Sequence, residues 1–406
     1  MVSIMKRRKL KKKWIITLVI LCICIGLYLL GGKHEEPKKE NISTPTPPVT
    51  KEEEPQRVKI TLVGDILFES PLYRDLDSRE TNGDEYFKRI NDRYFKVDDL
   101  TLANMEVPIG TKDMKVSGDG FNFCASPKMG ELVAHQSFEV LSTANNHTYD
   151  REEDGINSTL DFFKNNSSIL TVGTYYDKED RNKPRIIEKN GIKFGFLAYT
   201  YGTNIRVPEN LREKVGLFNN PSNPNDASLY REKMKTEITN LRNKVDVLIV
   251  FMHWGNEFTY SENSKQKELA AFLNELKVDI IVGSHSHCMQ PIEWINKDYS
   301  TLVYYSLGNF VSADDDISRT PSGQEEFDNA YQVGLLSTLE IVKDDTIKIE
   351  NINTGLIINY FDKNMKNFEL IPYDEYNEIY EKSHYRYSYG MTRSWIDKIY
   401  KNTIKI

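Results

Sequence analysis

The chain has 406 residues, of which 39% are hydrophobic, enough to bury the core of one large domain or of two. Its formal net charge is −7, but residues 1–13 carry seven lysines and arginines and no acid, so the rest of the chain carries −14. Because no cluster of basic residues follows the N-terminus, the composition argues against nucleic acid as a partner.

The N-terminal residues have the pattern of a membrane anchor. Residues 14–30, WIITLVILCICIGLYLL, are apolar and uncharged, which is close to the lower limit of about 17 residues for a membrane-spanning helix. The basic residues 1–13 before them predict a cytoplasmic N-terminus. A cleavable signal peptide is the alternative, but no small-residue cleavage site follows the apolar run. We therefore expect a transmembrane signal-anchor over residues 14–32 of a single-pass cell-membrane protein, with all later residues outside the cytoplasm.

Residues 33–57 are charged, rich in proline and almost free of large apolar side chains. Such a segment buries too little surface to fold, so it is predicted to be a disordered tether. Two cysteines lie in the apolar run, which leaves Cys124 and Cys288 for the exterior. They are expected to form either one disulfide or two buried thiols.

From Val58 onward, short β-branched runs alternate with stretches of helical spacing. The strand-like runs are VKITLVG (58–64), DLTLAN (99–104), FEVLSTA (138–144), GIKFGFLAY (191–199), VDVLIVFM (245–252), VDIIVGS (278–284) and STLVYYSLG (300–308). Residues 226–244 and 264–277 have helical spacing of their apolar side chains. Runs that are apolar throughout fit strands covered on both faces, so the alternation predicts a layered α/β architecture.

The C-terminal hundred residues have a different pattern. Residues 335–359 predict a hairpin with its turn at Asp344 and Asp345. The tail, residues 373–401, is rich in tyrosine and is predicted to be a helix that packs on the core. Binding of a glycan or a protein partner by these tyrosines is the alternative.

Polar side chains follow five of the predicted strands at their carboxyl ends. They are Asp65; Asn104 and Glu106; Asn145, Asn146 and His147; His253; and His285 and His287. Each alone is more often a structural residue, such as a hydrogen-bonded histidine or a helix cap. In open α/β sheets, however, ligand sites lie beyond the carboxyl ends of the strands, so these side chains are expected to meet.

Mixed oxygen and imidazole ligands suit Mn, Fe or Zn, and the lack of clustered cysteines argues against a structural zinc site. Two such ions held by a bridging carboxylate generate a hydroxide nucleophile and stabilise the charge of a phosphoryl group. The sequence therefore predicts a site for divalent metal, which is expected to hold two ions.

The ordered set G-D, N-x-E, N-N-H, H-W-G, G-x-H-x-H and YSLGNF (305–310) resembles the CapA/PgsA family of poly-γ-glutamate capsule proteins. That family belongs to the calcineurin-like metallophosphoesterase superfamily. The resemblance implies a metallophosphoesterase-like β-sandwich flanked by helices over residues 58–313. Residues 314–406 are then a hairpin and helical extension that packs on this core.

The resemblance also implies roles for individual residues. Asp65 and His287 would hold the first ion, and the second ion would be held by Asn146, His253 and His285. His147 would be the general acid or would orient the phosphate. Asp150 lies close enough in sequence to orient His147, and a helix N-cap is its alternative role. Contacts with the substrate are expected from three asparagines: Asn104, Asn145 and Asn309.

Two positions depart from the superfamily pattern. The superfamily usually begins with D-x-H, whereas Leu67 stands at the histidine position here. Its second motif is usually G-D-x-x-D, whereas this chain offers Asn104 and Glu106. Glu106 is the expected bridging ligand because two cations favour an anionic carboxylate, and Asn104 is the alternative. The first metal site is thus poorer in ligands than usual.

By this resemblance the protein is a membrane-anchored, extracellular component of poly-γ-glutamate synthesis or export with a dinuclear phosphoesterase-type site. Its expected partners are other membrane components of a polymer synthesis complex, and an anionic polymer or a phosphoester as substrate. One alternative is a metal-dependent phosphoesterase that acts on another cell-envelope phosphoester. The other is a non-catalytic scaffold with a vestigial site. The charge of −14 disfavours simple binding of a polyanion.

Overall fold

Fourteen strands and ten helices are present in the computed structural model, which describes residues 54–118, 122–219, 226–313 and 325–405. The predicted cytoplasmic segment, the transmembrane segment and residues 33–53 of the tether lie outside these ranges. Within them, no helix combines the length and apolar character needed to cross a membrane. The first strand starts at Gln56, inside the range predicted as tether.

The strands are β1 Gln56–Ile66, β2 Leu100–Met105, β3 Val140–Ser142, β4 Leu170–Val172, β5 Ile186–Lys189, β6 Ile192–Thr200, β7 Val247–His253, β8 Ile280–Ser284, β9 Ile292–Asn296, β10 Ser300–Tyr304, β11 Asn309–Val311, β12 Val333–Lys343, β13 Ile347–Tyr360 and β14 Glu369–Pro372. The helices are α1 Ser70–Ser78, α2 Lys88–Ile90, α3 Pro127–Ala134, α4 Glu152–Asn166, α5 Lys178–Arg181, α6 Ala227–Arg242, α7 Ser264–Glu275, α8 Glu325–Ala330, α9 Glu378–Ser383 and α10 Arg393–Thr403. Three 3₁₀ turns and one π turn complete the described elements: Asp84–Tyr86, Glu209–Lys214, Tyr387–Tyr389 and Asn91–Phe95.

The strands form two sheets. The first has the order β14-β13-β12-β1-β2-β3-β4, with β11 also paired to β1, and the second has the order β5-β6-β7-β8-β10-β9. The predicted layered α/β class is confirmed as a mixed α/β fold with two sheets. All seven predicted strands and both predicted helices are present, with bounds that differ by a few residues at some ends.

Strand β7 is apolar up to His253, and both of its faces are covered. In β7, Ile249 and Phe251 pack between the two sheets, against residues of β1, β2 and β6. Leu248 and Val250 point to the other side, against apolar side chains of α6 and α7. Alternate side chains of the strand thus belong to two separate hydrophobic clusters, one on each face of the sheet.

Strand β1 is central to the first sheet and ends at the site. It pairs in parallel with β2 as far as Ile66 and antiparallel with β12 as far as Leu62. Beyond Leu62 it also pairs in parallel with β11, where Asp65 lies opposite Asn309. Gly64 is required at this crossing, because a methyl group there would overlap the carbonyl oxygen of Gly308. The glycine lets the β11 backbone approach and fixes the position of Asp65.

The C-terminal prediction is confirmed in one part and wrong in another. Strands β12 and β13 form the predicted hairpin, and β12 adds directly to β1 rather than only packing on the core. The predicted single tail helix is instead α9, a 3₁₀ turn and α10. Gly390 adopts a left-handed conformation with φ 85°, which ends the turn, and the Thr392 side chain then accepts the Trp395 N–H to begin α10.

The two cysteines of the folded part remain thiols. Cys124 and Cys288 are both buried, and no disulfide joins them. Of the two alternatives, the structure therefore has the pair of buried thiols.

Candidate metal centre

The polar residues predicted at the strand ends meet between the two sheets. The first sheet and the loop after β3 contribute Asp65, Glu106 and Asn146, and the second sheet contributes His253, His285 and His287. All six side chains are buried, none more than 5% exposed. Burial of so many polar groups is unfavourable unless each has a partner, so their hydrogen bonds indicate what the site is built to hold.

Two carboxylates lie at the centre of the site. The Asn104 side-chain amide donates from Nδ2 to Asp65 Oδ1 at 2.9 Å and to Glu106 Oε2 at 3.2 Å. The second oxygen of Glu106, Oε1, accepts no hydrogen bond from any described residue. It lies 3.5 Å from His253 Nε2 and 3.7 Å from His287 Nε2. Burial, with the nearby charge of Asp65 as the next cause, raises the pKa of Glu106 well above its ordinary value.

His253 is neutral and held on both ring nitrogens. Its Nδ1 lies 2.8 Å from the Ser284 hydroxyl, and its Nε2 lies 2.8 Å from Asn146 Oδ1. Burial, followed by the neighbouring histidines, lowers its pKa well below the ordinary value. In the metal-free neutral ring, Nε2–H donates to Asn146 Oδ1 and the Ser284 hydroxyl donates to Nδ1. A bound metal would replace the Nε2 proton, since Nε2 and Asn146 Oδ1 are both ligand atoms, and Nδ1–H would then donate to Ser284.

His285 and His287 come from a strained turn after β8. Their φ angles are 94° and 55°, in the left-handed region that non-glycine residues rarely adopt. His285 Nδ1 has no partner among the described residues, and burial lowers the pKa of this ring to about 3. Such strain is typical of functional sites, where the surrounding structure holds it.

His287, unlike His253 and His285, favours its protonated form. Its Nδ1 lies 2.9 Å from Asn309 Oδ1, so donation to Asn309 leaves Nε2 facing Glu106. Burial alone would lower the pKa of His287, but the carboxylates of Glu106 and Asp65 outweigh it and raise the pKa to about 10. In the protein without metal, His287 is therefore the cation that partly neutralises the two carboxylates.

The donor atoms fall into two groups that share one residue. Glu106 lies with His285 and His287 in one group and with Asp65 and His253 in the other, and in each group the donor atoms lie within 4.8 Å of one another. This division differs from the expected one, which paired His287 with Asp65. Glu106 is common to both groups, as a bridging carboxylate must be. The buried oxygen and nitrogen atoms without partners fit divalent ions, and their assignment to individual ions stays a prediction.

His147 and Asp150 form a pair beside this cluster. His147 Nδ1 lies 2.7 Å from Asp150 Oδ2, which also accepts the Phe123 N–H at 2.7 Å. The N-cap position of helix α4 is Arg151, which makes no side-chain capping bond, so Asp150 orients His147 and is not the N-cap. With Nδ1–H held by Asp150, the free Nε2 is the nitrogen that exchanges a proton with a ligand.

The three asparagines predicted to contact the substrate all bond to the protein. Asn104 joins Asp65 to Glu106, as described above. Asn145 donates to the Met105 carbonyl at 2.8 Å, and Asn309 orients His287. Their contact with a substrate stays a prediction.

Leu67 supplies no ligand at the position of the missing histidine. Its side chain is 2% exposed and packs in a hydrophobic cluster that includes residues of α1 and α3. This departure from the superfamily pattern therefore removes one donor from the centre.

Several residues of the site were missed in the sequence. The Tyr201 ring lies 4.8 Å from that of His285, and Asn204 Nδ2 lies 3.5 Å from His147 Nδ1. Both follow β6, whose carboxyl end the strand-end rule also covers, so applying it there would have found them. The exposed Glu257, in the loop after β7, also acts on the site, since its charge contributes to the raised pKa of His287.

The fold and the site define a class: a two-sheet α/β protein with buried carboxylates and histidines at its strand ends. The chain matches the family described as "Bacterial capsule synthesis protein PGA_cap" over residues 59–314 and belongs to that family. The predicted family is confirmed.

Two particular relatives are named for capsule or polymer synthesis. The chain is 27% identical over 311 residues to the "PGA biosynthesis protein CapA" of Bacillus subtilis (strain 168), covering 75% of this chain and 74% of that protein. It is 25% identical over 268 residues to the "Capsule biosynthesis protein CapA" of Bacillus anthracis, covering 64% of this chain and 61% of the relative. The second match thus spans less than two thirds of the relative's length.

Three solved structures resemble the chain at low sequence identity. A hypothetical protein from Thermus thermophilus has 14% identity and a TM-score of 0.39, covering 73% of this chain and 98% of that chain. GAP50, the anchor in the inner membrane complex of Plasmodium, has 12% identity and a TM-score of 0.37, with coverage of 75% and 85%. A purple acid phosphatase from yellow lupin (Lupinus luteus) seeds has 9% identity and a TM-score of 0.27, with coverage of 74% and 51%. These likenesses support no further conclusion.

Proposed function

We propose that this protein is a membrane-anchored, extracellular component of poly-γ-glutamate capsule synthesis or export whose buried centre binds two divalent ions and hydrolyses a phosphoester. One observation carries the proposal: Glu106 Oε1 is buried, has no hydrogen-bond partner among the described residues and belongs to both groups of donor atoms. A buried carboxylate oxygen in that state is costly unless it binds a cation.

The residues divide into holding and proton-transferring roles. Asp65, Glu106, Asn146, His253, His285 and His287 would hold the ions. When bound, Mn, Fe or Zn would polarise a phosphoryl group and activate water. Ser284 and Asn309 hold the ring orientations of His253 and His287.

His147 is the proposed general acid. Asp150 accepts its Nδ1–H and orients the ring, and Nε2 would donate a proton to the leaving oxygen. Phe123 packs edge-on against this ring at 4.6 Å and restricts its rotation.

The biological part of the proposal rests on the family and on two relatives named for capsule or PGA biosynthesis. Membrane anchoring rests on the uncharged apolar residues 14–30 after a basic segment. Poly-γ-glutamate contains amide bonds and carboxylates but no phosphoester. The hydrolysed compound would therefore be a different cell-envelope phosphoester, which the charge of −14 does not disfavour as it does a long polyanion.

A non-catalytic scaffold is the second candidate. The observation that favours it is Leu67, which packs in the core where the superfamily has a ligand. Loss of one donor weakens the first site without removing the shared Glu106.

Turnover by the full-length chain tests the proposal. The chain is loaded with Mn²⁺, and release of p-nitrophenol is followed from p-nitrophenyl phosphate and from its bis ester. We expect chelator-sensitive turnover, a fall of about 10²-fold or more in His147→Asn at unchanged metal content, and no change in His135→Ala. His135 is a matched control because its side chain is 53% exposed and it takes no part in the centre.

Two outcomes decide against the catalytic part. Two bound ions with no turnover of either ester favour the scaffold. Equal turnover in wild type and His147→Asn contradicts the role of His147.

A further inference from the structure

A second concave feature lies away from the metal centre. A cleft of about 370 Å³ opens between the hairpin β12–β13, the segment before β2 and helix α10, and no residue of the metal centre lines it. This volume falls in the range of about 300–1,000 Å³ typical of small-molecule sites. We propose that this cleft binds a neutral saccharide, a function independent of the one proposed for the metal centre.

Tyrosines form much of the cleft. Tyr94, Tyr373 and Tyr400 line it, and all three are half-buried. A tyrosine offers a rigid apolar ring and a polar tip at a low entropic cost, which suits a ligand with apolar C–H faces and polar edges. Sugar rings have both. Two of these tyrosines belong to the C-terminal tail, whose tyrosine-rich pattern left glycan binding as an alternative to packing.

The floor of the cleft is open because of one glycine. Gly355 lies in β13 opposite Leu336, and a Cβ atom built on it would have no neighbour within 4 Å. A side chain on this part of the strand would therefore stand in the space that a ligand uses.

The polar groups of the cleft suit a ligand that is rich in hydrogen-bond donors. Both terminal nitrogens of Arg93 donate to the Asp374 carboxylate, at 2.8 and 2.7 Å, so this cation is already paired. Asp397 is exposed, and among the described residues it accepts one side-chain hydrogen bond, from the Tyr373 hydroxyl at 2.9 Å. A carboxylate has about four acceptor sites, so both aspartates keep acceptors for hydroxyl groups of a ligand.

The charge of the cleft disfavours anions. Three charged residues line the cleft: Asp374, Asp397 and Arg93, whose charge is already paired with Asp374. The lining therefore carries a net charge of −1. Like charges repel a carboxylate polymer but leave an uncharged saccharide unaffected. The cleft thus selects a neutral ligand over the polyanion associated with the family.

Binding is tested by saturation-transfer NMR and titration on the full-length chain. The probes are tetrasaccharides of N-acetylglucosamine, glucose and mannose, with an oligo-γ-glutamate of four residues as the anionic comparison. Gly355→Trp fills the floor of the cleft, and Asp397→Asn removes the charged acceptor without changing shape. Leu229→Trp is the matched control, because Leu229 is 67% exposed on α6, which packs on the second sheet.

The proposal predicts that at least one neutral tetrasaccharide binds the wild type and the Leu229→Trp variant with equal affinity. Affinity falls about tenfold or more in Gly355→Trp and severalfold in Asp397→Asn, while circular dichroism and metal content stay unchanged. Absence of binding by all three saccharides overturns the proposal. Equal affinity in Gly355→Trp, or tighter binding of oligo-γ-glutamate, overturns it too.

Discussion

Replacing Glu106 with glutamine should change stability in opposite directions with and without metal. Without metal, burial and Asp65 raise the pKa of Glu106, so the folded state loses stability as the pH rises above about 4.3, the ordinary value for glutamate. Glutamine keeps the shape and keeps an oxygen for the Asn104 amide. Attraction between Glu106 and protonated His287 offsets part of the cost of burying the Glu106 carboxylate. We therefore expect the glutamine variant to gain about 2 kcal/mol of unfolding free energy at pH 7 without metal.

This gain converts to a measurable shift of the melting temperature. With about 2.1 cal/mol/K of unfolding entropy per residue over the roughly 350 residues of Glu54–Ile406, a gain of about 2 kcal/mol raises Tm by about 3 °C. Mn²⁺ at 100 times its Kd adds about 2.7 kcal/mol for each ion to the wild type, or about 4 °C. The variant lacks the shared carboxylate, so Mn²⁺ should raise its Tm by less than about 1 °C.

The assay is differential scanning calorimetry of the full-length chain in EDTA and in Mn²⁺. Glu131→Gln is the control, because Glu131 is exposed on α3, and it should behave as wild type in both conditions. A variant that melts below wild type in EDTA, and still shows the full shift in Mn²⁺, would refute the assignment of Glu106 as the shared ligand.

Three further predictions concern the residues around the ions. Ser284→Ala should weaken Mn²⁺ binding by about 10–100-fold in chelator competition, because Ser284 fixes the ring of His253; equal affinity would contradict that role. Asp150→Asn should lower phosphoester turnover by about 10²-fold or more with metal content unchanged, and parallel loss of metal would show a structural role instead. Binding of Mn²⁺ at pH 8 should release about one proton from His287, whose pKa is near 10, so that calorimetric heats depend on the buffer; heats equal in Tris and phosphate would argue against it.

The sign of the His287 effect follows from its raised pKa. The folded protein without metal binds this proton more tightly than the unfolded chain does. The stabilisation is complete below about pH 6.5 and is lost as the pH rises towards about 10. Metal competes with the same proton, so its apparent affinity should increase over this range.

The sequence was sufficient for the strands, and it identified most of the polar residues that meet between the two sheets. Apolar runs such as 245–252 are covered on both faces and therefore stand out, and the polar residue that ends each run marks the carboxyl edge. His253 and His285 were found in this way. The closeness of Asp150 to His147 in sequence left two roles open for Asp150, orienting His147 or capping a helix, and the hydrogen bond between them favours the first.

The features that the sequence did not predict depend on contacts between residues that are distant in the chain. Nothing local to 333–343 shows that β12 pairs with β1, or that Asn309 reaches His287 across a turn. Which histidine lies nearest which carboxylate is likewise set by how the two sheets face each other. The break in the tail helix was visible in Gly390 and Thr392, but a capping pattern in a tyrosine-rich segment is a weak signal.

Metal content measures the central claim most directly. The full-length chain is loaded separately with Mn²⁺, Fe²⁺ and Zn²⁺, freed of excess ions and analysed by elemental mass spectrometry beside His285→Ala and His135→Ala. The structure predicts about two equivalents of at least one metal in wild type and in His135→Ala, and loss of at least one equivalent in His285→Ala. A wild-type chain that retains none of the three metals, or a His285→Ala chain that retains as much as wild type, would contradict the metal centre.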